Sequence, residues 1–346
     1  MVGALAAAVV LKGAYPLLVT PYTEKAELDC EVLIREAEYV DAQGVGGVIW
    51  PTANEINVLD EFGEYESGLT ALADRWAKGG MKSRLTAVCC GTNSAAALKR
   101  VELWDAIVSK RGISAAILAR PPDDAVTDAA MEAHYRSLAA KTSLPVIIQT
   151  FCKTANPQPS VDLLVRLSRD FPNTYGYFKE ESNQPNVNDR IAAMMAAKPV
   201  VKGVFSGWGA TQFLYQGPRL GTTGIITQRP MYAGLLQKML DLTAAGKTAA
   251  DPELADTFGR YLMMVNLGEV FKSQKTDGGS MRGPHLVVFK RLGVFRNTLT
   301  RTVDGNGRKS VKSFDLPPNA IAEIDARIKS AGLQKSSNSW KGKGVL

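Results

Sequence analysis

The sequence predicts an α/β fold, a (β/α)8 TIM barrel followed by a C-terminal helical appendage. Three observations predict it. Eight short β-prone runs occur before about Met231, the segments between them space their apolar residues by three and four, and later helical patterns follow one another without strands between them. Strands alternating with helices pair in parallel through right-handed crossovers, and eight such units close a barrel. At 346 residues the chain exceeds the roughly 250 typical of one barrel, which leaves a remainder for the appendage.

In chain order the strand runs are 14–20 (AYPLLVT), 47–50, 85–90 (LTAVCC), 115–119 (AAILA), 145–150 (PVIIQT), 174–179, 202–206 (KGVFS) and 224–227 (GIIT). Each is short and rich in β-branched or other apolar residues, as a strand buried on both faces requires. Helical spacing is clear at 31–43 (EVLIREAEYVDAQ), 95–110 (AAALKRVELWDAIVSK), 128–142 (DAAMEAHYRSLAAKT) and 161–171 (VDLLVRLSRDF). Segment 233–246 (AGLLQKMLDLTAAG) reads as the eighth barrel helix, and the patterns at 253–271, 286–292 and 319–332 as the appendage. The predicted division is therefore a barrel over 1–245, an appendage over 246–333 and a flexible tail over 334–346.

Composition narrows the function classes. Apolar residues make up 45% and charged residues 22%, ordinary values for a globular chain with a large core. The formal charge of +7 is modest, and the basic tail from Lys335 is short, Gly- and Ser-containing and aperiodic, so it reads as a solvated terminus rather than a nucleic-acid contact. Cys30, Cys89, Cys90 and Cys152 show no paired spacing, and the two histidines, His134 and His285, cannot complete a zinc pattern. Free thiols in a reducing, cytoplasmic compartment are expected. The apolar start (MVGALAAAVVLKG) is too short to span a bilayer and no basic residue precedes it; the remnant of a trimmed export signal is the alternative.

A barrel of this kind gathers its chemistry at the C-terminal ends of its strands. Those ends supply Thr20, the segment 51–55 (PTANE), Gly91-Thr92-Asn93, Arg120, Gln149-Thr150, Lys179-Glu180, Ser206-Gly207 and Thr227. Lys179, in the stretch TYGYFKEESN, is the informative one. A lysine amine presented to a desolvated cavity loses preference for its charged form, and the neutral amine can add to a carbonyl carbon to make a Schiff base. The resulting iminium is an electron sink, so a carbon–carbon bond beta to it can break or form. The alternative is structural: an ion pair at the rim with Glu55, Glu180 or Glu181.

The ordered segments LLVTPYTEKAELD, GVGGVIWPTANE, LTAVCCGTNS, PVIIQT, YFKEES, VFSGWG and GTTGIIT, spread over roughly the first 230 residues, resemble the N-acetylneuraminate lyase and dihydrodipicolinate synthase family and its sugar-acid dehydratase relatives. The resemblance implies that Lys179 forms the Schiff base with pyruvate or another 2-oxo acid, with no metal or organic cofactor. It also implies that the PTANE loop, with Thr52 and Ala53, holds the substrate carboxylate, that Ser206-Gly207 and 221–226 line the site, and that the chain assembles as a dimer or tetramer. A threonine hydroxyl with backbone N–H groups in a turn suits such a carboxylate. Glu55 is expected to brace the turn rather than to catalyse.

Departures from the family pattern are as informative. Where relatives carry a proton-relaying tyrosine at the end of the fifth strand this chain has Gln149-Thr150, and a carboxamide cannot shuttle protons near neutral pH. Pro121-Pro122-Asp123 replaces a tyrosine pair, Ala53 a threonine, and Lys153-Thr154 stands where the dipicolinate synthases carry an arginine. These losses argue against lysine-pathway synthase activity. Strand parity places Tyr177 on the same inward face as Lys179, which raises the expectation that the relay phenol has moved to the sixth strand; filling of barrel volume is the alternative. Arg120, Gln149 and Trp208 are expected to line the outer pocket. The functional expectation is an aldolase or dehydratase acting on a small 2-oxo acid. Its alternatives are a barrel of the same family that binds the acid without turnover, and a nucleic-acid or scaffold protein.

Overall fold

In the computed structural model, which describes residues 10–151, 158–182, 186–271 and 282–336, the predicted runs form eight parallel strands. These are β1 (Gly13–Ala14), β2 (Gly47–Trp50), β3 (Arg84–Val88), β4 (Ala115–Ala119), β5 (Val146–Gln149), β6 (Tyr177–Glu180), β7 (Gly203–Ser206) and β8 (Gly224–Ile225). Their hydrogen-bonded order runs β1-β8-β7-β6-β5-β4-β3-β2. The sheet closes just beyond β1, where the Leu18 N–H donates to Ile49 O at 2.8 Å and the Ile49 N–H to Pro16 O at 3.1 Å. This is a (β/α)8 barrel with further elements after it. Cys152, Lys153-Thr154, the first nine residues and the chain from 337 onward lie outside the described residues.

Nine helices of the described chain surround the strands: α1 (Cys30–Asp41), α2 (Ile56–Glu61), α3 (Glu64–Ala77), α4 (Ser94–Arg111), α5 (Asp128–Ala139), α6 (Val161–Asp170), α7 (Val187–Ala196), α8 (Phe213–Leu220) and α9 (Ala233–Ala244). Local chemistry sets several of their starts. The side chains of Asp29, Asn93, Thr127 and Ser160 accept the backbone N–H three residues ahead, at 3.2, 2.9, 3.2 and 3.1 Å. Each such cap contributes about 1 kcal/mol. Burial then fixes orientation, as when Trp104 of α4, fully enclosed, donates its indole N–H to Ala116 O on β4 at 3.0 Å. Gly47 begins β2 because any Cβ there would stand 2.1 Å from the ring of Tyr15.

Beyond the barrel come α10 (Pro252–Val265), α11 (Leu267–Val270), α12 (Arg282–Arg291) and α13 (Pro318–Ala331). The helical patterns at 253–271, 286–292 and 319–332 are thus present. The all-helical reading of this region, however, missed an antiparallel hairpin, β9 (Leu299–Val303) with β10 (Lys309–Ser313). Its turn is chemically explicit, since Asp304 Oδ1 accepts the N–H groups of Asn306 and Arg308, both at 2.9 Å. D-G and N-G steps between threonine- and valine-bearing runs are the usual signal for such a hairpin.

The hairpin is anchored through charge. Arg301, its side chain 2% exposed, pairs with Glu64 of α3 at 2.5 Å and lies 4.3 Å above the ring of Tyr22. Arg296 binds Asp29 at the start of α1, and on the appendage itself Arg291 grips Asp325 with two bonds of 2.7 Å. Of the predicted tail, residues 334–336 are held: Tyr39 donates to Gln334 O at 3.3 Å and the Ser336 N–H to Leu292 O at 2.8 Å. Among the described residues no helix is long and apolar enough to cross a membrane.

Candidate active site

Lys179 is the third residue of β6, and parity turns it into the barrel at the C-terminal mouth. Its side chain is 5% exposed, and Nζ donates to Glu181 Oε2 at 2.6 Å. The same oxygen accepts Gln149 Nε2 at 2.7 Å, while Glu181 Oε1 accepts the Trp208 N–H at 3.3 Å. Thr150 Oγ1 receives the Glu181 N–H at 2.8 Å and fixes the backbone. The sequence alternative of an ion pair is therefore realised, with Glu181 as partner, but the pair faces space. A cavity of about 150 Å³ is bordered by Ala53, Arg120, Gln149, Lys179 and Glu181. A second of about 1120 Å³ shares Lys179, Glu181, Trp208 and Gln228 and runs outward to α10, α11 and α13. The appendage thus supplies one wall of the site.

The loop after β7 is bent to serve this arrangement. Trp208, Gly209 and Ala210 all have positive φ, at 48°, 67° and 60°. Such conformations are unfavourable for residues bearing a Cβ and collect at functional sites. The bend aims the Trp208 N–H at Glu181, and the indole N–H reaches Ser182 O at 3.1 Å. Tyr261 of α10 holds the loop by donating to Gly209 O at 2.5 Å, and burial pushes its phenol up to about 12, which keeps it a donor.

The other predicted residues divide between the cavity and the wall behind it. Ala53, Arg120 and Gln149 border the cavity with Lys179. Arg120 is 7% exposed, pairs with Asp123 at 3.2 Å, and buries Nε without a hydrogen-bond partner among the described residues. The Thr52 hydroxyl is given to Glu55 Oε2 at 2.7 Å, and Thr20 donates to the same oxygen at 3.2 Å. Glu55 accordingly braces the turn, accepting from these two hydroxyls. Ser206 is fully buried and donates to Gln216 Oε1, away from the cavity. Gly207 does not line the space either, but a Cβ there would come 2.5 Å from Glu180 O, so only glycine lets β7 approach the end of β6.

Tyr177 corrects the expectation of a relocated relay. It shares the inward face with Lys179, but it opens β6 and so belongs to the layer at the opposite, N-terminal end. Its hydroxyl accepts the Leu11 N–H at 3.2 Å, and Lys202 Nζ lies 5.7 Å from its ring. Side chains two apart on a strand share a face without sharing a height. Tyr177→Phe is expected to cost about 1 kcal/mol of stability through the lost hydrogen bond and to leave turnover at the parent rate. Steady-state assay of the purified variant checks this; a large fall in kcat would return the phenol to the mechanism.

Two residues at the centre escaped the sequence reading as site members. Glu181 lies one position past the strand, where the chain turns back and parity no longer says which way a side chain points. Arg229, 4% exposed, borders the larger cavity from a loop beyond β8. The buried thiols are not candidates: desolvation pushes Cys89 up to about 12 and raises Cys90. Among the described residues no group of three or more His, Cys, Asp or Glu side chains is placed to hold a metal.

A buried lysine thus stands at the mouth of the sixth strand of a (β/α)8 barrel, beside a cavity and a carboxylate. The sequence profile of the Dihydrodipicolinate synthetase family matches residues 10–264, and the chain belongs to that family. A 4-hydroxy-tetrahydrodipicolinate synthase of Chlorobium phaeovibrioides is 25% identical over 264 residues, 75% of this chain and 83% of that one. An uncharacterized DapA-like lyase of Pyrococcus abyssi is 25% identical over 166 residues, 48% of this chain and 53% of the other. Several such curated relatives are matched over only about half of their length. The crystal structure of dihydrodipicolinate synthase from Aquifex aeolicus superposes with a TM-score of 0.67 at 20% identity, covering 94% of this chain and all of that one. At that identity the likeness concerns the fold.

Proposed function

We propose that the chain is a lyase that forms an imine between Lys179 and pyruvate or a sugar-derived 2-oxo acid, and uses it as the electron sink for aldol cleavage, aldol addition or dehydration. One observation carries the reading: among the described residues the only ammonium bordering both cavities is that of Lys179, buried at the C-terminal end of β6 in a chain of this family. Arg120 and the Gln149 carboxamide offer donors to the substrate's carboxylate or hydroxyls, with the turn at Thr52 and Ala53 opposite them. A second reading, a barrel that binds the acid without turning it over, is favoured by Gln149 standing where relatives place a proton-relaying phenol. Borohydride reduction in the presence of pyruvate or a 2-keto-3-deoxy sugar acid, followed by intact-mass measurement, tests the imine. One reduced substrate per chain is expected; an unchanged mass across the panel overturns the proposal. Product formation then separates turnover from binding.

A further inference from the structure

The missing phenol leaves the proton chemistry of the site without a carrier, and the geometry points to Glu181 as its replacement. We infer that the Glu181 carboxylate moves the protons of imine formation and of enamine formation at Lys179. The inference rests on the imine reading above.

The carboxylate is built for the task. Oε2 is 2.6 Å from Lys179 Nζ, within the reach required of a general base, and borders the same two cavities. Three groups fix its position: Gln149 Nε2 and the Trp208 N–H on its oxygens, and Thr150 on its own N–H. Gln149, which cannot transfer a proton, instead orients the group that can. The strained Trp208 loop acquires a reason, since its backbone N–H is directed at this carboxylate. Glu180, the adjacent acid, is unsuited: it is fully buried on the other face, where Arg190 binds it at 3.3 Å and the Ser182 N–H at 3.0 Å.

The sequence of steps balances. The Lys179 ammonium passes a proton to Glu181, leaving a neutral amine and a carboxylic acid. The amine adds to the keto carbon, and one of its protons moves to the oxygen to give a carbinolamine. The carbon–oxygen bond breaks as the Glu181 acid protonates the departing hydroxyl, so water leaves and a protonated imine remains. For pyruvate, the restored carboxylate then takes a proton from the methyl carbon. The C–H pair becomes the new carbon–carbon double bond and the imine pair withdraws onto nitrogen, giving the enamine. That methyl carbon is two bonds from the nitrogen, so an oxygen in contact with Nζ is also within reach of its hydrogens.

The test compares the parent chain with Glu181→Gln and Glu181→Asp, using pyruvate as the probe. Borohydride trapping reads the imine, and proton NMR in D2O reads deuterium entering the pyruvate methyl above the protein-free background. Expected for Glu181→Gln is a trapped adduct after long incubation together with exchange slowed by about 100-fold or more, with partial recovery in Glu181→Asp. Exchange at the parent rate in Glu181→Gln overturns the inference. A Glu181→Gln protein with a native circular dichroism spectrum that forms no adduct, with the adduct regained in Glu181→Asp, supports the part of the carboxylate in imine formation. A parent that forms no adduct marks instead the failure of the imine itself and removes the basis of this step.

Discussion

Replacing Lys179 with alanine is expected to abolish the borohydride-trapped adduct and to lower turnover of any 2-oxo acid substrate by at least about a thousandfold. The reasoning is chemical. Among the described residues no other amine borders both cavities, and neither water nor a carboxamide supplies an electron sink in its place. Lys179→Arg should fail equally, because a guanidinium keeps the charge but stays protonated and does not add to a carbonyl. The two variants differ in stability. Alanine leaves Glu181 with Gln149 and the Trp208 N–H but without its cation, whereas arginine offers it a new one. Because the Glu181 side chain is 17% exposed beside a cavity, water tempers the cost. Intact mass, turnover and a melting curve on the same preparations decide the matter. Trapping that survives in Lys179→Ala would move the chemistry to another residue.

The second large effect concerns stability. Arg301→Met is expected to destabilise the fold by about 3–5 kcal/mol, because it strands the Glu64 carboxylate in the seam between the hairpin and α3. Arg301 and Glu64 are 2% and 9% exposed at their side chains, and Arg301 also donates to Ala26 O at 3.1 Å. The partners left to Glu64 are the Leu28 N–H at 3.1 Å and the more exposed Lys309 at 3.5 Å. Removing both charges, as Arg301→Met with Glu64→Leu, should restore much of the loss, since apolar replacements of a buried pair are often neutral. Chemical denaturation of the single and double variants measures this. A single variant within about 1 kcal/mol of the parent would mean that the Arg301–Glu64 pair adds little to the hold on the hairpin.

Much of the barrel was legible because its signals are short-range. Short apolar, β-branched runs marked all eight strands, though β1 and β8 are shorter than the runs at 14–20 and 224–227, and spacing of three and four marked helices such as α1, α4, α5 and α6. The helices α2 and α3, which follow a loop read for its chemistry, were passed over, as were α7 and α8. The hairpin carried a recognisable turn that a run of helical patterns obscured. At the site, position on a strand end put Lys179, Gln149 and Arg120 among the candidates, and the family resemblance chose Lys179 from them.

Tyr177 and Glu181 mark where that reasoning stops. Parity put the Tyr177 phenol on the inward face with Lys179 but could not show how far it reaches, and its hydroxyl meets the Leu11 N–H at the other end of the barrel instead of the site. Beyond the strand there is no parity at all, and Glu181 found its place only through Thr150 on β5's end and the left-handed turn at Trp208. By itself, then, the sequence determined the repeating units and the barrel and pointed to Lys179 as the candidate amine, because each signal lies in residues near one another in the chain. Which carboxylate meets that lysine, and which wall the appendage adds to the cavity, was decided by the tertiary structure alone. Glu181 is only two residues from Lys179, but it is turned onto the amine by Thr150 and Trp208, 31 and 27 residues away, and the wall of the appendage comes from farther still; no local pattern records that packing.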